Sequence, residues 1–235
     1  MAAGEATDPE RSGQLSEILA AAARGRFPAP DGSVRVLPTP IPDQAAVVSF
    51  TAHALVVADV AQEWVDRQIS NGDFSAPLNP PFLTALSGRL ERVVNNVDMM
   101  LVATAAEGDP PLRLAQVVDR DEPVWRHPRV RAAALWRADV RVFTTPGAVL
   151  IIGRGLAGRI EMSYHVHPDQ QGEGLGRALA ASARYLVPAG EVVWAQCAPG
   201  NAASVRVLLA AGYVPVGAEA MLVPRPPDEH WMAVR

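Results

Sequence analysis

The sequence contains no lysine; all 21 of its Lys and Arg positions are arginine. That excludes a P-loop, which needs a lysine followed by Ser or Thr after its glycines. A single cysteine, Cys197, excludes an intramolecular disulfide and any multi-cysteine metal centre, and no metal is expected. No apolar run approaches the ~18 residues that would span a bilayer, and the run at residues 54–60 is interrupted by Asp59. The opening MAAGEATDPER carries acids and no apolar block, so it is not a secretory signal, and a cytoplasmic protein without a membrane partner is expected. A basic excess is missing too. The formal charge of −4 argues against a duplex nucleic-acid partner. The arginine bias, with abundant Ala, Val, Gly and Pro, points to a GC-rich bacterial genome and carries no functional signal.

What remains is 235 residues, about half of them apolar, enough for one large domain or two small ones with a real core. Residues 1–13 read as disordered, and QLSEILAAAAR at 14–24 as a short amphipathic helix closed by GRFPAPDG. A strand is expected at 33–37 and a Val-rich apolar stretch at 46–58. Helices follow at 61–69 and 81–94, the second opened by Pro81, and a buried strand at 97–105. The remainder changes rhythm: a strand at 112–118, a helix within 123–137, a hairpin across 139–154, and a strand at 159–166. Then come a glycine loop, a helix at 174–187, a strand at 191–198, a helix at 201–212 ending at a glycine, and a closing hairpin of 213–223 with 230–234. This order implies an α/β protein of the α+β type with a mostly antiparallel sheet.

The stretch HPDQQGEGLGRALAASA, residues 167–183, places glycines at 172, 174 and 176 ahead of a helix. Unpaired N–H groups and the positive end of the helix dipole make such a turn a natural phosphate seat. Glycine lets the ligand approach the backbone without a Cβ in the way. Taken alone, the loop also reads as a structural strand-to-helix turn. A nicotinamide-binding fingerprint fits badly, because the spacing is G-x-G-x-G and Glu191 opens its strand rather than closing it.

Residues 166–176, VHPDQQGEGLG, resemble the acetyl-CoA signature of the GNAT N-acetyltransferase superfamily: Arg or Gln, two residues, Gly, one residue, Gly or Ala, five residues after a strand end. A second signature lies downstream. Asn201-Ala-Ala-Ser204, an apolar helix and Gly212-Tyr213 resemble the family's Asn-x-x-Ser and Gly-aromatic pattern. The ordered pair covers roughly residues 107–235. The resemblance implies a GNAT-like mixed, mostly antiparallel sheet flanked by helices there, an additional N-terminal α/β region at 31–106, and a disordered segment or short helix at 1–30.

It also implies acetyl-CoA as co-substrate. The pyrophosphate would lie on Gln171, Gly172, Gly174, Gly176 and Arg177, and the pantetheine would pair with Tyr164, His165 and Val166 where that strand parts from the one at 191–198. Asn201 would bond the pantetheine, or cap its helix, or both. The family's usual acid, a tyrosine seven residues after the motif Asn, is Leu208 here. Ser204 resembles the serine used in the branch that acetylates ribosomal-protein N-termini; it assists the thiolate or is simply a first-turn residue.

A primary amine of pKa ~10.4 is about one part in two thousand neutral at pH 7, a cost near ~4.6 kcal/mol, whereas the departing thiolate needs only about 2 kcal/mol of help. The base therefore matters most. Glu161 is the candidate, with a pKa raised by burial, or else it forms an ion pair with Arg154 or Arg159. Strand alternation puts Glu161, Ser163 and His165 on one side. His165 and His167 are alternatives, His167 as an exposed turn residue. His127 and Trp125 fall in the acceptor wall, Trp136 in the core, and Cys197 in a strand as a core residue. Loops 119–130 and 224–230 would select the acceptor. The implied activity is transfer of an acyl group from acyl-CoA, acetyl above all, to a primary amine of a small molecule or peptide, with a homodimer possible. The alternative is a non-catalytic acyl-CoA-binding module.

Overall fold

A computed structural model of the chain describes residues 9–39, 44–69 and 72–225. Along the first part run α1 (Pro9–Ala22), β1 (Val34–Leu37), β2 (Ala45–Phe50), β3 (His53–Val57), α2 (Gln62–Gln68), α3 (Pro80–Leu90) and β4 (Arg92–Thr104). β5 (Ala115–Val117), α4 (Pro128–Trp136), β6 (Ala138–Thr145), β7 (Ala148–Arg154) and β8 (Ile160–Val166) follow. The chain continues through α5 (Leu175–Ala183), β9 (Val192–Cys197), α6 (Ala202–Ala210) and β10 (Val214–Pro224). The architecture is mixed α/β, with mostly antiparallel strands flanked by helices. It divides into two compact units: residues to Met99 with the segment from Val216, and residues from Met100 to Pro215.

In the first unit the strand order is β1–β3–β2–β10, parallel between β1 and β3 and antiparallel elsewhere. The Val-rich stretch is a hairpin, reversed at Thr51 and Ala52, where Ala52 takes a φ of 49°. Val47, Val56, Val65, Phe82, Leu86 and Leu222 fill its core. α1 buries Leu15, Leu19 and Ala22, one stripe at helical spacing, and it begins at Pro9, within the segment expected to be disordered. α3 ends earlier than its periodicity predicts. Glu91 adopts the left-handed conformation and its N–H caps the Ser87 and Gly88 carbonyls, which releases Arg92 and the β-branched Val93 and Val94 into β4.

In the second unit β5, β6, β7 and β8 pair antiparallel in chain order, and β8 pairs in parallel with β9. The Pro146-Gly147 turn closes the expected hairpin, Gly147 at φ 73° lying against the Gln170 side chain. α4 packs on Val142, Val149 and Ile151. α5 packs on β7 and β8 and against α6. Because side chains alternate along a strand, α4 covers the face carrying Ile151 and Ser163, and α5 the face carrying Leu150 and Tyr164. β5 is shorter than expected: the chain enters with Leu112 N–H donating to Ser182 Oγ. Trp136, expected in the core, is only half-buried. The expected final strand at 230–234, the disorder expected at 1–8 and most of the acceptor loop 224–230 lie outside the described residues.

Candidate functional site

The loop after β8 makes a short 3-10 turn at Pro168–Gln170 and then opens into glycines. Gln171 Nε2 donates to the Val166 carbonyl at 3.2 Å, tying the loop to the strand it leaves. Gly172 and Gly174 sit at φ 88° and 85°, a region glycine enters without strain, and a Cβ at either position would point into open space. Gly174 is the N-cap of α5 and provides no side-chain partner, so the first-turn N–H groups lack a side-chain cap. Arg177 stands exposed in that first turn. Beside it runs a cleft of about 450 Å³ between α5 and α6, lined by Gly174, Arg177, Ala178, Ala181, Ala211 and Pro111.

β8 and β9 pair only at Glu161↔Trp194 and Met162↔Ala195 among the described residues, and then part. His167 N–H donates to the Gly147 carbonyl, on the β7 side. Alternation therefore turns the N–H and C=O of Tyr164 and Val166 toward the gap, and those of His165 toward β7. One of those groups, the Val166 carbonyl, is taken by Gln171; an extended ligand would find the others.

On the α5 face of the gap the Tyr164 phenol lies close enough to the Ser204 side chain for the two to interact. Its ring lies beside Gly176, where a Cβ would stand 3.4 Å from Cε2. The phenol thus links the N-termini of α5 and α6. Burial pushes its pKa up, against the opposing pull of the Ser204 side chain. Asn201 caps α6, its side chain accepting from Ser204 N–H at 3.1 Å. Leu208 is buried and contributes no hydroxyl. Cys197 is buried with its Sγ directed to the Ala198 and Asn201 carbonyls.

The α4 face carries the charged groups. Glu161 is buried between Arg159, 2.7 Å from Oε1, and Arg137, 2.9 Å from Oε2. Burial works to raise its pKa, but the two guanidiniums outweigh it and hold the carboxyl below its ordinary range. The raised pKa expected for Glu161 is therefore corrected. Of the two ion-pair partners expected, Arg159 is present, whereas Arg154 reaches toward Asp139 instead, at 3.7 Å. Arg137 also donates to Ser163 Oγ at 3.0 Å, and Arg159 stacks over Trp194 and donates to Met100 Sδ.

Further along the same face, the rings of His165 and His127 lie 4.8 Å apart. His127 Nδ1 accepts from Arg129 N–H, so its neutral ring carries the proton on Nε2. Burial first, then the neighbouring cations and histidines, pushes both pKa values below that of an ordinary histidine. His167 is exposed and leans on Asp169, outside this cluster. Trp125 packs against the α4 core with its Nε1 buried and unpartnered, and Arg120 lies over its ring.

Most of the groups around the gap are named by the sequence, but three side chains are not: Tyr164, Arg137, and Gln196, whose Nε2 is buried with no hydrogen-bond partner. Alternation along β9 places Gln196 on the face of Trp194 and so of Glu161, a signal that the sequence itself carries.

No family model matches the chain, and no curated protein matches it. Among solved structures it is similar to a GCN5-related N-acetyltransferase from Kribbella flavida, at 16% identity and TM-score 0.42, over 66% of this chain and 67% of that one. It is similar to an acetyltransferase of the GNAT family from Novosphingobium aromaticivorans, at 17% identity and TM-score 0.37, over 57% and 68% of the two chains. It is also similar to a tandem GNAT protein from the clavulanic acid biosynthesis pathway, at 13% identity and TM-score 0.41, over 94% and 97%. In its two motifs and in the order of elements from β5 to α6, the chain resembles the GNAT N-acetyltransferase superfamily.

Proposed function

We propose that the chain is an acyl-CoA-dependent N-acyltransferase that moves an acetyl group directly from acetyl-CoA to a primary amine. The observation that carries this reading is the uncapped glycine turn at Gly172 and Gly174 placed at the mouth of the gap between β8 and β9. The open Cβ positions and the first-turn N–H groups suit a pyrophosphate, with Arg177 beside it. The gap-facing amide groups of Tyr164 and Val166 suit an extended amide-bearing arm, and the alanine-lined cleft along α5 and α6 suits an adenine. Gln171 acts in this reading by anchoring the loop, and Asn201 by orienting the first turn of α6.

Transfer forms the new C–N bond as the thioester C–S bond breaks. Ser204 and Tyr164 present hydroxyl hydrogens to the departing sulfur. The amine proton passes to His165, which is neutral at pH 7 and backed by His127. Glu161, ionised and bound at both oxygens, holds Arg137 and Arg159 in place rather than shuttling a proton. All these groups fall within residues 107–215.

The test is thermal unfolding with acetyl-CoA, CoA and NADH, followed by thiol release against an amine panel. Ligand at 100 times its Kd stabilises by about 2.7 kcal/mol, roughly 5 to 10 °C for a chain of this size. A shift with acetyl-CoA and none with NADH supports the loop assignment; no shift with either CoA species overturns it. A non-catalytic acyl-CoA-binding module, the reading that buried Leu208 favours, gives the shift without amine-dependent thiol release.

A further inference from the structure

The buried pattern of β8 and β9 breaks where the two strands part. Ser163, Tyr164 and His165 are half-buried after the buried Ile160, Glu161 and Met162, and Gln196 is half-buried after Val193, Trp194 and Ala195. Gln196 follows Ala195 as Ser163 follows Met162, so each stands one step beyond the last paired residues, on the face that also carries His165. Both present a hydrogen that no acceptor takes among the described residues. Arginine can only donate, so the Arg137 contact fills a lone pair of Ser163 Oγ and leaves the hydroxyl hydrogen to be given elsewhere. Gln196 Nε2 is buried with no hydrogen-bond partner. Native interiors rarely leave such a donor unmatched.

One oxygen satisfies two neighbouring donors when it has two lone pairs and brings no hydrogen of its own, and that oxygen is a carbonyl. We propose that the amine acceptor carries a carbonyl group on the carbon next to its nitrogen, as an amino-acid amide does, and that Ser163 and Gln196 donate to its oxygen. This rests on the acyltransferase reading above. His165 lies two residues beyond Ser163 on the same strand face, about 6.6 Å along it. A short N–C–C=O unit, hydrogen-bonded at both ends, spans that step with its nitrogen toward His165. The carbonyl stays intact throughout: the amine nitrogen forms a bond to the acyl carbon, the C–S bond breaks, thiolate leaves, and the nitrogen loses one proton.

The experiment follows thiol release from acetyl-CoA by the full chain with matched pairs of amines: alaninamide with isopropylamine, and phenylalaninamide with phenethylamine. A neighbouring carbonyl lowers the pKa of an amine and favours transfer by itself. The readout is therefore the preference within a pair, as a ratio of kcat/KM, in wild type against variant. Gln196→Leu and Ser163→Ala are each expected to lower that ratio by about tenfold, through the carbonyl compound alone. A purely structural role would slow both members of a pair alike and leave the ratio where it was. The acetyl-CoA thermal shift of each variant confirms that the protein is folded. A ratio unchanged in both variants overturns the proposal and leaves the acyltransferase reading standing; it is the result expected if the Gln196 amide turns over to accept the Ser163 hydrogen. A ratio that falls in only one variant overturns the assignment to the other residue. An acetyl-CoA shift without turnover of either carbonyl compound overturns the proposal as well. No acetyl-CoA shift and no thiol release with any amine removes the reading itself, and this proposal with it.

Discussion

The backbone of Gly155 lies directly against the carboxylate of Glu161; a Cβ at 155 would stand 2.2 Å from its Cδ. The glycine is what allows the carboxylate to sit between two arginines. Gly155→Ala forces that group to move, and a loss of about 1–3 kcal/mol in unfolding free energy is expected. Urea unfolding measures it. An unchanged midpoint would mean that the ion cluster shifts freely.

Glu161→Gln should be the most destabilising of the single changes, because it removes a buried carboxylate that both Arg137 and Arg159 bind, at a cost of about 3–5 kcal/mol. The pH dependence follows from the depressed pKa of the folded state. The stabilisation is complete above the ordinary carboxylate value of 4.5 and is lost as pH falls through the lower folded value. Wild type and variant should therefore differ by a constant amount at neutral pH and converge in acid. A gap that closes already at pH 6 would sink this assignment.

Removing the hydroxyl of Tyr164 or of Ser204 should each slow acyl transfer by about tenfold, since assistance to a thiolate is worth about 2 kcal/mol at most. Because the Ser204 side chain acts on the Tyr164 phenol, the double variant Y164F/S204A should lose far less than the product of the single losses. Strictly additive losses in a double-mutant cycle would separate the two groups.

His165 must be neutral to accept a proton. Its depressed pKa keeps it so below the ordinary histidine value of 6.5, and the acid limb of kcat/KM should lie below that pH. Arg129 lowers the pKa of both His165 and His127, so Arg129→Ala should move the limb toward 6.5. His165→Gln should cost about 10²–10⁴ in rate and abolish the limb. A limb that stays where it was in both variants assigns the titration to another group.

Gly174→Ala places a side chain at φ 85°, a strain of about 1–2 kcal/mol, and a methyl group at the loop mouth. A smaller acetyl-CoA thermal shift than wild type is the expected readout, measured against the variant's own melting temperature.

Features written over a few neighbouring residues are legible in the amino-acid sequence. The Pro-Gly turn between β6 and β7, the glycines ahead of α5 and the Asn cap of α6 each depend on local backbone chemistry, and each occurs where expected. Other features depend on partners far along the chain. Residues 89–94 continue a helical apolar rhythm, yet strand formation by Arg92 onward wins over local propensity once α3 has stopped at Glu91. Alternation predicts the face of Glu161 but not that Arg137, at the end of α4, reaches its second oxygen and reverses the expected pKa shift. The Tyr164 phenol on β8 comes near Ser204, forty positions downstream, and no spacing rule connects them.

The parting of β8 from β9 has a consequence for hydrogen exchange. A strand in a sheet interior normally keeps its amide protons for the lifetime of the fold, but the amides of Tyr164 and Val166 face a gap instead of a partner strand. They should trade their protons with solvent quickly, while His165, whose amide is turned toward β7, trades slowly. A ligand laid along the gap would slow the two fast positions and leave the slow one alone. Occupancy would then be recorded as an alternating pattern of isotope retention along three consecutive residues, with no need for turnover.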